Sequence, residues 1–254
     1  ARSLFSEPFD PMLFPVRRVP WPQTHWNDLT VEAREQQALD DLELALQTPT
    51  AAVILEPLIQ GAGGMRMVRP QFLQAVEQQV RRAGSLLIAD EVLAGFGRCG
   101  RLLASQRAGI QPDLVALSKG LTAGFLPMGI TMASEAIFQE FLGSDPTKTL
   151  WHGHSFTANP LGCAAANASL DLLEADPTCH EQFERRHRVR LERLACHPRV
   201  QRVRLCGTIA AFDLVTDGEK GYLNPAGKVL RGLVRDQGVL IRPLGDVVYL
   251  LPPL

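Results

Sequence analysis

Apolar residues return along this chain in short runs, and those runs alternate with stretches of helical spacing. The first helical stretch is TVEAREQQALDDLELALQT, residues 30–48, with Thr30 placed to cap it and acid in its first turn. AAVILEP, residues 51–57, is a brief apolar run closed by proline and predicts a buried strand. A glycine-rich loop, IQGAGGMRM, follows it. RPQFLQAVEQQVRRAG then opens on Pro70 and stops at Gly84, the usual asymmetry of a helix. SLLIADEV, PDLVALSK and PMGITMAS predict three more strands. Strands apolar on both faces, spaced by helices, predict a mostly parallel sheet with helices on both faces. After the loop TLWHGHSFTANP come a small-residue helix, LGCAAANASLDLLEAD, and a charged, exposed one, HEQFERRHRVRLERLACH. From about residue 198 the texture changes. VQRVRLCGTIAAFDLV alternates as short strands, PAGKVLRGLVRDQG reads as a helix, and VLIRPLGDVVYLLPP as a hairpin-like pair. The expected organisation is a large α/β domain over residues 1–197 and a small α+β subdomain with a half-exposed sheet over 198–254.

Composition narrows the classes. At 254 residues, 46% hydrophobic and 21% charged, the chain is ordinary globular material. A net charge of −1 offers no basic field for nucleic acid or an anionic membrane. No apolar run is long enough to span a bilayer. Cys99, Cys163, Cys179, Cys196 and Cys206 form no C-x-x-C pair, which suits free thiols in a cytoplasmic protein. Ala1 is not a methionine, and ARSLFSEPFDPMLFPV reads as loop from mid-protein rather than a signal peptide. A fragment is therefore expected.

Ligands of an open parallel sheet sit beyond the carboxyl ends of its strands. Three runs end there in polar groups: Glu56, Asp90-Glu91 and Ser118-Lys119. A lysine and a carboxylate on one rim are an ion pair at their simplest, and strand-end acids often only cap the next helix. The glycine-rich turns that follow, GAGG, AGFGRCG and GLTAG, suit close approach of backbone to something bound. A lysine in a water-poor cleft also suits Schiff-base chemistry with an aldehyde or ketone. His152 and His154 are spaced like two metal ligands but have no third nearby, so no metal is expected.

LLIADEVLAGFGRCG followed by PDLVALSKGLTAGFLPMG closely resembles the signature of the class III pyridoxal-phosphate aminotransferases, of fold type I. In that family the Asp of the D-E pair contacts the pyridine nitrogen and the Lys of S-K-G/A holds pyridoxal 5'-phosphate covalently. The resemblance implies those roles for Asp90 and Lys119. EPLIQGAGGMRM is similar to the family's E-P-x-x-x-x-G-G segment, which implies that Gln60 lies near the cofactor. Further stretches resemble one branch, the biotin-pathway aminotransferases that take their amino group from S-adenosylmethionine. WHGHSFTANPLGCAAANASLDLL implies Gly153 near the substrate, and His154 with Ser155 on the cofactor phosphate of a neighbouring subunit, hence a homodimer with shared sites. The family commonly has Pro-Thr where His154-Ser155 stands. IRPLGDVVYLLPP implies Arg242 on a substrate carboxylate and Tyr249 in the same pocket, although Arg242 read alone is also a surface arginine and Tyr249 a strand aromatic. Arg98, within GFGR, is either a substrate-side group or a loop anchor. The family's phosphate-binding turn and ring-stacking aromatic lie upstream of the matching segment, so this stretch by itself is expected to be catalytically silent. Other class III activities, on ω-amino acids or diamines, share these motifs.

Overall fold

The computed structural model describes residues 6–176 and 178–253. In chain order its elements are α1 (Val31–Leu46), β1 (Ala52–Leu55), β2 (Ile59–Gln60), β3 (Arg66–Met67), α2 (Pro70–Arg82), β4 (Leu86–Asp90), α3 (Ala104–Ala108) and β5 (Leu114–Leu117). There follow β6 (Ile130–Ala133), α4 (Glu135–Gln139), α5 (Pro160–Ala175), α6 (Cys179–Ala195), β7 (Val200–Cys206), β8 (Ile209–Leu214), α7 (Ala226–Arg235) and β9 (Val247–Leu250).

The main sheet has the order β1-β4-β5-β6. β1, β4 and β5 are parallel, while β6 returns antiparallel along β5. The register puts Val53, Leu55, Leu87, Ala89, Val115 and Leu117 on one face. There α2 buries Phe72, Leu73, Val76 and Val80, and α5 adds Ala166. The opposite face differs from the sequence expectation. Ile54, in a run that reads as a buried strand, is 66% exposed, and Leu86 beside it is exposed too. An apolar run signals that both faces avoid water, but cover must come from packed elements, and the described residues supply it on one face only.

Thr30 also departs from its expected role. Its hydroxyl donates to Asp28 Oδ1 (3.1 Å) and accepts from Arg34, so it caps no helical N–H of α1. Asn159 does cap α5, its Oδ1 accepting from Gly162 N at 2.7 Å with Pro160 opening the helix.

The second sheet, β7-β8-β9, is antiparallel. It is not half-exposed: β8 is buried on both sides. Ile209 and Ala211 enter the main core, whereas Ala210 and Phe212 pack with Leu191 of α6, Val203 and Val248. The polar side chains that make its neighbours alternate, Arg204 and Asp213, are buried as a pair rather than solvated. The expected C-terminal hairpin reduces to β9 alone, because residues 239–243 form no strand. Among the described residues, no helix is long and apolar enough to cross a membrane.

Candidate active site

Asp90 closes β4 and Lys119 follows β5, so the parallel pairing of these strands delivers both to one edge. Glu56, directly after β1, reaches the same edge: its carboxyl is influenced by the charges of both Asp90 and Lys119. Burial pushes the Glu56 carboxyl up from the ordinary carboxylate range. The Gly61 N–H, donating to Oε2 at 2.9 Å, pulls it down, the Asp90 charge raises it and Lys119 lowers it. The acid next to Asp90 plays a different part. Glu91 is fully buried, and its two oxygens accept from Ala104 N (2.5 Å) and Ser105 N (2.9 Å), the opening amides of α3. One member of the D-E pair is thus a helix anchor and the other faces the rim.

Asp90 Oδ1 accepts from Val92 N at 3.1 Å, and among the described residues Oδ2 has no hydrogen-bond partner. Lys119 is exposed and makes no hydrogen bond or ion pair among the described residues. The chain turns to the surface just after β5, which ends at Leu117. The Lys119 backbone sits at φ +45°, in the left-handed region that non-glycine residues rarely adopt. Ser118 Oγ donates to Met128 O (2.7 Å), Leu121 N to Ser118 O (3.0 Å), and Ser169 Oγ of α5 to Gly120 O (3.1 Å). The turn Lys119–Thr122 is therefore held from three directions.

The rim glycines mainly let the loops approach one another. A Cβ at Gly120 would stand 2.8 Å from Phe96 Cβ, and one at Gly95 would stand 2.9 Å from Glu91 O. Gly61 abuts Leu93, which brings the Gln60 hairpin against the loop that follows Asp90.

Other sequence-predicted residues stand apart from this rim. Among the described residues His154 bonds only within its own turn, Nδ1 accepting from Phe156 N at 3.1 Å and its amide donating to Thr157 Oγ1 at 3.0 Å. Ser155 is exposed in the same turn, and a Cβ at Gly153 would meet nothing within 4 Å. Arg242 and Tyr249 line one cavity of about 740 Å³. Arg98 Nη1 donates to the Pro252 carbonyl, which also borders that cavity, so Arg98 anchors the rim loop to the C-terminal segment. Burial lowers the Arg98 pKa from its ordinary value. Glu56 opens the E-P-x-x-x-x-G-G segment, but the resemblance attached no role to it. Its place at the end of an apolar run was the available signal.

Over residues 2–254 the chain matches the family model described as Aminotransferase class-III. The chain belongs to the class III aminotransferases. It is 57% identical over 253 residues to an adenosylmethionine-8-amino-7-oxononanoate aminotransferase from Synechococcus elongatus, covering 99% of this chain and 59% of that protein. A Geobacter sulfurreducens protein of the same name is 40% identical over 266 residues, with 99% and 58% covered. Among solved structures, an adenosylmethionine-8-amino-7-oxononanoate aminotransferase from Methanocaldococcus jannaschii superposes with a TM-score of 0.85 at 29% identity, over 98% of this chain and 58% of that one. An omega transaminase from Pseudomonas jessenii, in complex with PMP, gives 0.79 at 29%, over 87% and 51%. The class III aminotransferase chain described here has fold type I architecture and spans less than two thirds of the length of these relatives.

A pH dependence follows for this class III site. A raised folded-state pKa means that Glu56 contributes stability below its ordinary value of 4.5, and that this contribution is lost as pH rises through the folded value. Glu56→Gln keeps an acceptor for Gly61 and removes the buried charge. We expect thermal unfolding to show the variant gaining on the original protein as pH rises from 4.5 through the raised folded value. A variant that loses ground over that interval contradicts the assignment.

Proposed function

We propose that the protein containing this chain transfers the amino group of S-adenosylmethionine to 8-amino-7-oxononanoate, giving 7,8-diaminononanoate in biotin biosynthesis. The observation that carries this reading is the pairing of a rim lysine with a rim carboxylate on adjacent parallel strands, in a chain 57% identical to an aminotransferase of that name. The residues fit pyridoxal 5'-phosphate: among the described residues the Lys119 amine makes no hydrogen bond or ion pair, and one Asp90 oxygen has no hydrogen-bond partner. When bound, that cofactor supplies an electron sink for the pair released as the substrate α-carbon loses its proton.

In this proposal Lys119 Nζ would hold the cofactor and, once free, would take up and return the substrate α-proton as base and acid. The Asp90 carboxylate would hold the cofactor's ring nitrogen in its protonated form. Gln60, in the hairpin whose Gly61 abuts Leu93, would border the cofactor ring. Arg242 grips the substrate carboxylate with its planar fork, Tyr249 lines the same pocket, and Arg98 positions that pocket against the rim. Gly153 leaves room for substrate, and His154 and Ser155 bind the cofactor phosphate of a second copy. A homodimer is supported by the exposed aromatic side chain two residues before Gly153, Trp151, which is 83% exposed. We further propose a division into a cofactor-binding part up to residue 197 and a smaller part from 198, and a cytoplasmic setting.

The test is a visible absorption spectrum of the protein with pyridoxal phosphate, before and after S-adenosylmethionine. The band of the lysine-bound cofactor is expected to bleach. A band that ignores S-adenosylmethionine but bleaches with an ω-amino acid or diamine moves the function to a sister aminotransferase. No band at all refutes cofactor binding by this chain.

A further inference from the structure

The cavity bordered by Arg242 carries more positive charge than a single substrate carboxylate requires. It opens between α6, α7, residues 240–242 and the end of β9. Arg190 enters it from α6, Arg231 from α7 and Arg242 from the segment before β9. No Asp or Glu lines it, and none of the three guanidinium groups has an ion-pair partner among the described residues.

A second observation points to an occupant. His187 lines the same cavity and is only 3% exposed. Burial and the Arg190 charge hold its pKa below the usual imidazole range, while a hydrogen-bonding contact from one ring nitrogen to the Thr208 backbone pulls the other way. The second ring nitrogen has no hydrogen-bond partner among the described residues. A neutral imidazole keeps one N–H to donate. Buried polar atoms are normally paired, so a buried ring facing a cationic cavity is the kind of exception that a bound group satisfies. Leu240, Ile241 and Leu251 supply apolar wall, and about 740 Å³ falls within the usual size range of small-molecule sites.

Charge and donor count set the ligand class. One carboxylate occupies one guanidinium fork and neutralises one charge, leaving two cations facing each other. A phosphate group brings about two negative charges and three terminal oxygens, enough to engage several forks and the imidazole together. We propose that Arg190 and Arg231, with Arg242 and His187, form a site for a phosphate-bearing small molecule. The site goes beyond the transamination reading and shares only Arg242 and the lining Tyr249 with it.

The test titrates inorganic phosphate into the full chain by calorimetry, with acetate at matched ionic strength as the comparison. Phosphate is expected to bind at one site above the acetate background. The Arg190→Gln/Arg231→Gln variant should weaken it by about tenfold or more. Both arginines are exposed, so the variant should keep the original unfolding midpoint. His154→Ala/Ser155→Ala and Lys119→Ala should each leave phosphate binding intact. The proposal fails if phosphate binds no better than acetate, or if the arginine variant binds as tightly as the original chain. It also fails if binding is lost with His154 and Ser155, which would place the phosphate in the cofactor cradle. Loss of the visible cofactor band in Lys119→Ala, with phosphate binding retained, keeps this result separate from the transamination test.

Discussion

Lys119→Ala is expected to remove the visible band of the bound cofactor and to lower turnover by about 10,000-fold or more, since one amine serves as both covalent hold and proton carrier. The fold should survive it. Lys119 is exposed and its side chain makes no hydrogen bond, so nothing buried is left unpaired. Stability gives the sharper contrast. The φ of +45° is a conformation that glycine adopts freely and alanine does not. Lys119→Gly should therefore be more stable than Lys119→Ala by about 1 kcal/mol, with both equally inactive. The surrounding bonds, from Ser118 to Met128, Leu121 to Ser118 and Ser169 to Gly120, force this backbone on whatever residue stands at 119. Urea unfolding alongside the absorption spectrum checks both halves. A Lys119→Ala protein that keeps the band and turns over would overturn the catalytic assignment. Equal stability of the two variants would overturn the strain argument alone.

Arg204→Met should give the largest loss of stability. Arg204 is 2% exposed and donates to Met65 O (2.7 Å), Gly64 O (2.8 Å), Arg202 O (2.7 Å) and Asp213 Oδ1 (2.8 Å). Removing it strips three carbonyls of a donor and takes one of two cations from Asp213. Breaking a buried pair by removing one partner costs about 3–5 kcal/mol, and the remaining Arg202 contact at 2.6 Å favours the lower end. Even about 3 kcal/mol is a large share of the 5–15 kcal/mol that typically holds a domain together. Because Arg204 fastens the backbone at Gly64 and Met65, the loss should also loosen the hairpin that carries Gln60. Arg204→Met/Asp213→Leu should recover much of the stability, since apolar residues of similar volume can replace a buried pair. Chemical unfolding of the single and double variants decides it. A cost below about 1 kcal/mol for the single variant, or a double variant worse than the single, contradicts this account.

The residues at the rim of the main sheet were legible because their signals are local. A lysine or aspartate ending an apolar strand is conspicuous, and parallel strands must bring their carboxyl ends to one side. Pro70 and Gly84 likewise mark the bounds of α2 by rules that act within a few residues. The failures have a common physical origin in tertiary contact. Ile54 reads as core, but exposure depends on what packs over it, and periodicity carries no information about a covering element. The polar positions in residues 200–215 suggested a wetted face. Arg204 and Asp213 instead neutralise each other inside, a pairing between residues on different strands that alternation cannot reveal.

By itself, then, the order of residues determined the succession of strands and helices, the family, and the lysine and aspartate of the rim, because hydrophobic period, turn chemistry and motif spacing are properties of short segments. Only the tertiary structure decided that Glu91 anchors α3 while Asp90 faces the rim, that Arg98 bonds the Pro252 carbonyl, and that Arg190, Arg231 and Arg242 meet around one cavity. Each of those outcomes depends on groups far apart in the chain being placed within a few ångströms of one another, which packing imposes and local pattern does not encode.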